Sequence, residues 1–299
     1  ATTRLYTLRY SEQTAPLLEQ FAQIFSLSLV SSAYSLSVPT SSSLKSAVLF
    51  FNQVVMPMVQ AKAGQQATAT RVGVNASLGG GAVRYELVER SKVDGTVTGL
   101  NLGIVQDISE DFSVGAIIPY DHLDYDYLFE ADRFGLILYA KQNIELSEQL
   151  SLGLSGNFNY IYTDISFAVG GGDSLTSYGG GAGISVSYDQ EVTVSSLAAF
   201  YQYSKDDTGF KDDHQHLLKL GANTGFRFGE SHVATFYAIY NRDVTDYHYD
   251  PVDRDYFDLG VEASFGLSET WGLDFGYKRV TGLDDYQADE VYLGSAIGF

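Results

Sequence analysis

Cysteine is absent from this chain, so no disulfide framework holds it, and its stability must come from packing and backbone pairing. Basic residues are scarce, at 18 Lys and Arg against 37 Asp and Glu, a formal net charge of -19. That balance excludes nucleic acid as a partner, since phosphate binding needs a basic surface. Nor is there a run of the roughly 18 to 20 apolar residues that a membrane helix requires. The longest apolar stretches, residues 47–51 and 54–59, are short and flank Asn52-Gln53. Proline is limited to five residues and tryptophan to one. No G-x-S-x-G motif occurs, and neither Asp124-Tyr125-Asp126 nor Asp253-Arg254-Asp255 completes a twelve-residue calcium loop.

What is abundant has a different character. There are 22 Tyr, 18 Phe and 30 Gly, and 45% of residues are hydrophobic, yet mean hydropathy is only -0.05. Strands that alternate apolar and polar residues average out in this way. A strand needs only about 9 to 11 residues to cross a bilayer, with every second one apolar. Tyrosine suits the headgroup level, with its apolar ring and polar tip. The end of the chain shows the alternation best. Val291, Leu293, Ser295, Ile297 and Phe299 share one face, and Glu290, Tyr292, Gly294, Ala296 and Gly298 share the other. Termini fray unless they are tied down. A strand that ends on an aromatic residue is secured if it pairs with the first strand and closes a barrel. Tyr292 and Phe299 are therefore candidates for barrel closure and assembly.

About twelve such segments follow residue 82. They span residues 82–89, 96–106, 112–120, 134–144, 150–162, 182–188, 192–203, 217–228, 232–241, 255–265, 271–278 and the closing strand. Short turns rich in Asp, Ser and Gly alternate with longer connections. These include a glycine-rich loop at 170–181 and acidic stretches at 121–132, 206–213, 243–258 and 284–290. The acidic stretches read either as solvated loops or as a rim that concentrates cations at a pore mouth. An even strand count and alternating loop lengths predict an all-β transmembrane barrel in the bacterial outer membrane, with both termini periplasmic and the long acidic loops extracellular.

The two faces of each strand then separate lipid from lumen. Residues 217–228 place Leu218, Leu220, Ala222, Phe226 and Phe228 on one row, opposite Lys219, Asn223 and Arg227. Residues 255–265 place Phe257, Leu259, Val261 and Phe265 opposite Asp258, Glu262 and Ser264. Residues 271–278 place Trp271, Leu273, Phe275 and Tyr277 opposite Asp274 and Lys278. A Lys or Arg facing lipid at mid-depth costs roughly 2 to 4 kcal/mol. Lys219, Asn223, Arg227, Asp258, Glu262, Asp274 and Lys278 are accordingly expected to line the lumen. A soluble β-sandwich also alternates, but crowded Gly and Ser on the polar row, sided loop lengths and the terminal Phe299 favour the membrane.

Residues 1–66 differ. Leu17, Leu18, Phe21, Ile24, Phe25 and Leu29 fall at helical spacing, as do Leu44, Val48, Phe51, Val55 and Met58 behind a Ser41-Ser42-Ser43 cap. Pro57 would kink the second helix. The expectation is a helical segment at 1–66 that plugs or caps a barrel at 67–299. It would also be the route to envelope or secreted protein partners. Residues 71–78 with Gly79-Gly80-Gly81 read either as an extension of the first strand or as a separate lumenal strand. The chain begins at Ala1 without a charged-then-apolar leader, as a mature chain would.

The region from residue 67 resembles the translocator domain of autotransporters, the type V secretion proteins. The likeness rests on Gly79-Gly80-Gly81, on Gly99-Leu100-Asn101-Leu102-Gly103 leading through Ser109-Glu110-Asp111 to Phe112-Ser113-Val114-Gly115-Ala116, and on the ending Tyr292-Leu293-Gly294-Ser295-Ala296-Ile297-Gly298-Phe299. It implies a twelve-stranded barrel threaded by a helix, with a passenger exported ahead of it. The roughly seventy residues before the barrel are too few for a typical passenger.

No enzyme activity, metal or cofactor is expected. His214-Gln215-His216, next to Asp212-Asp213, would present both imidazoles on one side of an extended segment, but reads more simply as a solvated loop. The leading function is a translocator or secretion pore, with outer-membrane lipid and the barrel-assembly machinery as partners. A structural anchoring barrel and a diffusion porin are the alternatives. Deleting Phe299 is expected to impair membrane assembly more than deleting any loop tip, measured as the heat-modifiable folded fraction on gels; normal insertion without it counts against closure at this residue.

Overall fold

The computed structural model describes residues 72–87, 91–109, 111–125, 129–168, 171–207, 214–228, 232–245, 255–267, 271–282 and 286–298. The helices expected in residues 1–66, and Phe299, lie outside the described residues. Twelve strands form one closed antiparallel barrel. They are β1 (Val72–Leu87), β2 (Ser91–Asp107), β3 (Phe112–Tyr125), β4 (Phe129–Glu145), β5 (Leu150–Phe167), β6 (Gly172–Asp189), β7 (Thr193–Asp206), β8 (His214–Phe228), β9 (His232–Asp243), β10 (Asp255–Gly266), β11 (Trp271–Thr281) and β12 (Tyr286–Gly298). Each strand pairs with its neighbours in sequence. The ring is completed where β12 meets β1, from Gly73 opposite Gly298 to Tyr85 opposite Tyr286.

Period-2 patterning decides which side chains point in. On β8, Leu220, Ala222, Phe226 and Phe228 are exposed while Lys219, Gly221, Asn223 and Gly225 are buried. The rows predicted for β10 and β11 divide in the same way: Phe257, Leu259 and Phe275 lie outside, and Asp258, Glu262 and Lys278 inside. Local hydrogen bonds make the short turns tight. Ser109 Oγ accepts from the Phe112 amide at 3.1 Å, and Ser147 Oγ from the Leu150 amide at 3.1 Å. Serine at these positions replaces the missing ladder partner with its own hydroxyl.

One open sequence reading is decided in favour of strand extension, and two expectations need correction. Gly79-Gly80-Gly81 belongs to β1 and pairs on both sides, with Gly81 opposite Glu290 and Val97, so the first strand begins at Val72 rather than at 82. Most of the glycine-rich stretch 170–181 is strand: residues 172–181 pair with β5, from Gly172 opposite Ser166 to Gly181 opposite Asn157. Glycine is scarce in strands because it offers no side chain to pack, but here the missing side chain makes room. A Cβ at Gly181 or Gly183 would overlap the Phe200 ring of β7. Tyr139 covers Gly115, Tyr237 covers Gly260 and Tyr292 covers Gly276 by the same fit. Thirdly, much of the acid assigned to loops lies in strands. Asp121, Asp132, Asp206 and Asp243 all sit in the ladder, as do Asp258 and Glu290, which the alternation already placed on strands. Within the stretch 121–132, β3 runs on to Tyr125 and β4 begins at Phe129. The outward residues of these extensions, such as His122, Asp124, Glu130 and Asp132, are polar, so hydropathy alone ended the strands too early.

Leu259 is 41% exposed on the outer row and Asn223 is buried on the inner one. Leu259→Arg is expected to lower folding stability in phospholipid vesicles by roughly 2 to 4 kcal/mol if the site lies near mid-depth. Asn223→Arg is expected to fold. Denaturant titration of the vesicle-inserted protein checks both, and the reverse tolerance would invert the two faces.

Candidate functional site

The inner wall concentrates the barrel's buried polar chemistry, and the ladder sets its order. Lys219 on β8 stands opposite Asn241 on β9, and Lys278 on β11 opposite Glu290 on β12. Between them, Asp258 on β10 binds both sides. Its Oδ1 lies 3.3 Å from Lys278 Nζ, and its Oδ2 accepts from Asn241 Nδ2 at 2.9 Å. All five side chains are almost wholly buried. Beyond β1 and β2, Arg133 on β4 faces Asp121 on β3 in register, with 3.6 Å between Nη2 and Oδ2. Charges of opposite sign therefore neighbour one another from β10 to β12 and again across β3 and β4. Buried ions are tolerated when such partners replace the lost water.

The other expected residues lie on the same inner row but at other levels. Glu262 accepts from Tyr292 Oη, which reaches over Gly276 to meet it, and from Ser264 Oγ at 3.3 Å. The Ser264 hydroxyl carries one proton, which it shares between Glu262 and the nearer Asp274 carboxylate at 2.9 Å. Arg227 sits near a short turn, where it grips Asp189 with both ends of its guanidinium at 2.7 and 2.9 Å and donates to the Gln190 carbonyl at 2.6 Å. Asn223 is buried further along β8. Tyr292 lies in the closing strand, opposite Gly79 of β1 and Gly276 of β11.

Sequence reasoning missed two members of the charged wall. Asp121 and Arg133 fell within the stretch taken as an acidic loop. The alternation of Ile117, Pro119, Asp121 and Leu123 on one row was the signal that the strand ran on. It also missed that the inner wall is partly apolar. Ile117, Ile137, Ala198, Phe200, Tyr237, Ile239 and Tyr292 form one contiguous buried cluster drawn from β3, β4, β7, β9 and β12. His214 and His216 do share one side of β8, with ring centroids 5.5 Å apart. They belong to the outer row, and Tyr201 Oη contacts His216 Nδ1 there.

No protein-family model and no curated protein sequence matches the chain. Solved structures do. The translocator domain of the autotransporter NalP from Neisseria meningitidis superposes with a TM-score of 0.53 at 14% identity, over 78% of this chain and 89% of that one. The transport unit of the autotransporter AIDA-I from Escherichia coli gives 0.56 at 11% identity, over 90% and 98%. The fold is similar to the barrel of autotransporter translocator domains. Outer-membrane channels share it: a channel from Pseudomonas putida F1 gives 0.58 at 12% identity, over 81% and 100%. At these identities the likeness concerns the fold alone.

The charged wall makes its own prediction. Lys278→Met removes the cation that lies 3.3 Å from Asp258 and opposite Glu290 in the ladder, and is expected to cost roughly 3 to 5 kcal/mol. Adding Glu290→Gln is expected to recover part of that loss. A denaturant-based double-mutant cycle reads the coupling, and additive losses would mean that the two residues act independently.

Proposed function

We propose that this chain is an integral protein of the bacterial outer membrane that acts as an autotransporter-like translocator or secretion pore. The observation that carries the reading is the two-sided wall. Leu220, Phe236, Leu259, Phe275 and Leu293 lie exposed on the outside, while Lys219, Asp258, Lys278 and Glu290 are buried within. In water this arrangement would be inside out, because a monomeric soluble protein rarely shows a continuous apolar belt. In lipid it is the favourable one. Phe228, His232 and Phe265 pack together near the short turns, and Phe134 and Tyr162 pair towards the other end. Aromatic residues at both edges suit two membrane interfaces.

In this reading the short turns and both termini face the periplasm, and the long-loop end faces outward. Residues 67–299 form the barrel, and residues 1–66 either plug it or dock beneath it and bind envelope or secreted proteins. Outer-membrane lipid and the barrel-assembly machinery are its partners, and the protein carries out no catalysis. A second reading, a diffusion channel, draws on the polar inner wall and on the likeness to the Pseudomonas channel. An anchoring barrel is the third.

A reporter domain fused ahead of residue 1 separates these readings. Protease-accessible reporter on intact cells is the expected result. A reporter left in the periplasm by a folded barrel that conducts in planar bilayers would favour the channel. A folded barrel that neither exports nor conducts would leave the anchor. Deleting residues 1–66 is expected to raise conductance if they plug the lumen, whereas unchanged current in a folded barrel would place them beneath it.

A further inference from the structure

One cluster recurs on the outer face of three hairpins. Tyr120 Oη donates to Asp132 at 2.8 Å, Tyr240 Oη to Asp255 at 2.8 Å, and Tyr277 Oη to Asp289. Two residues after each tyrosine comes a basic side chain: His122, Arg242 or Arg279. Each stands directly opposite the same aspartate in the ladder, at 3.1, 3.9 and 3.8 Å. Opposite the three tyrosines stand Phe134, Phe257 and Val291. The repeated unit is thus Tyr-x-(His/Arg) facing Asp-x-apolar. It occurs on β3–β4, β9–β10 and β11–β12, on two sides of the barrel.

The level of these clusters has a physical meaning. From the short turns up to each tyrosine, the outward residues are apolar: Val114, Ala116 and Ile118 on β3, Ala234, Phe236 and Ala238 on β9, Leu273 and Phe275 on β11. Eight residues separate Phe112 from Tyr120, His232 from Tyr240, and Trp271 from Arg279. At about 3.3 Å per residue and a tilt near 40°, that is a rise of about 20 Å. The apolar band of such barrels is roughly 25 Å tall. The first outward charges therefore appear where hydrocarbon gives way to headgroups. There Arg242 and Arg279 remain half-exposed. The Tyr240 and Tyr277 hydroxyl oxygens each accept from the neighbouring guanidinium, while the carboxylates stand beyond hydrogen-bond range at 3.9 and 3.8 Å; the five-donor fork keeps further N–H groups that suit phosphate oxygens.

We propose that these clusters form a collar that binds phosphate groups of lipid headgroups. Arg242 and Arg279 supply the donors. The Tyr–Asp pairs hold the cations at the interface through their opposite charge. The inference rests on the membrane-barrel reading above. It gives the outer wall a specific preference that the apolar belt alone does not supply.

Native mass spectrometry of the full chain in detergent tests it, with bis-phosphorylated lipid A and dephosphorylated lipid A as probes. The wild type is expected to bind the phosphorylated lipid about tenfold more tightly, the scale of one to two charge-assisted contacts. Arg242→Gln with Arg279→Gln is expected to abolish that preference, and Arg242→Lys with Arg279→Lys to keep much of it. Equal wild-type affinity for the two lipids would overturn the proposal, as would an undiminished preference in the glutamine variant. Displacement by inorganic phosphate at matching concentration would indicate an ion site and also overturn it. If the glutamine variant fails to fold, the wild-type comparison still decides. Insertion into neutral phosphatidylcholine vesicles, scored separately, distinguishes failure of the collar from failure of the barrel reading.

Discussion

Everything in this barrel depends on pairing β12 with β1. A strand in hydrocarbon has no water to satisfy its amides and carbonyls, so an open edge would leave a row of them unmet at several kcal/mol each. The register from Gly73–Gly298 to Tyr85–Tyr286 removes that edge. It also explains where side chains can be dispensed with. β1 meets β12 through Gly79, Gly80 and Gly81, where the backbone ladder supplies the cohesion and a bulky side chain would only obstruct. A Cβ at Gly81 would collide with the Asp289 carbonyl and with Glu290.

Closure creates an interior that must be filled or solvated, and this chain does both. Aromatic rings lie flat across glycines on the next strand, as Tyr292 does across Gly276 and Phe200 across Gly181 and Gly183. Such pairs recover packing lost where glycine is needed. The ionic wall runs alongside them, with Asp258 tied to both Lys278 and Asn241. Removing one member of such a network exposes the cost of burying the others, so the wall tolerates coordinated change better than single change.

Much of this was legible in the sequence, because a closed wall with an apolar outer and a polar inner side imposes its period-2 pattern on every strand. The twelve segments and their two faces followed from strict alternation, and Lys219, Asp258, Glu262 and Lys278 fell on the inner row for that reason. What stayed hidden lay beyond the reach of hydropathy. The continuation of β6 through its glycines depends on Phe200 from another strand. The extension of β3 and β4 to Asp121 and Arg133 depends on ladder bonds that carry no hydrophobic signature. The apolar cluster around Ile137 and Tyr237 depends on which inner positions meet in space, which alternation does not encode.

Strand length has a further consequence. β4, β5 and β6 run 17, 18 and 18 residues, whereas β9, β10 and β11 run 12, 12 and 11. The short turns keep one end nearly level, so the difference accumulates at the other. Six residues at about 3.3 Å each, on strands tilted near 40°, amount to roughly 15 Å of height. The mouth is therefore cut on a slant, with a parapet along β4 to β6 and a low sill along β9 to β11. In the proposed translocator or channel, a bulky solute would meet the opening from the sill side first and a chain leaving the barrel would be steered away from the parapet, giving traffic through this end a compass direction.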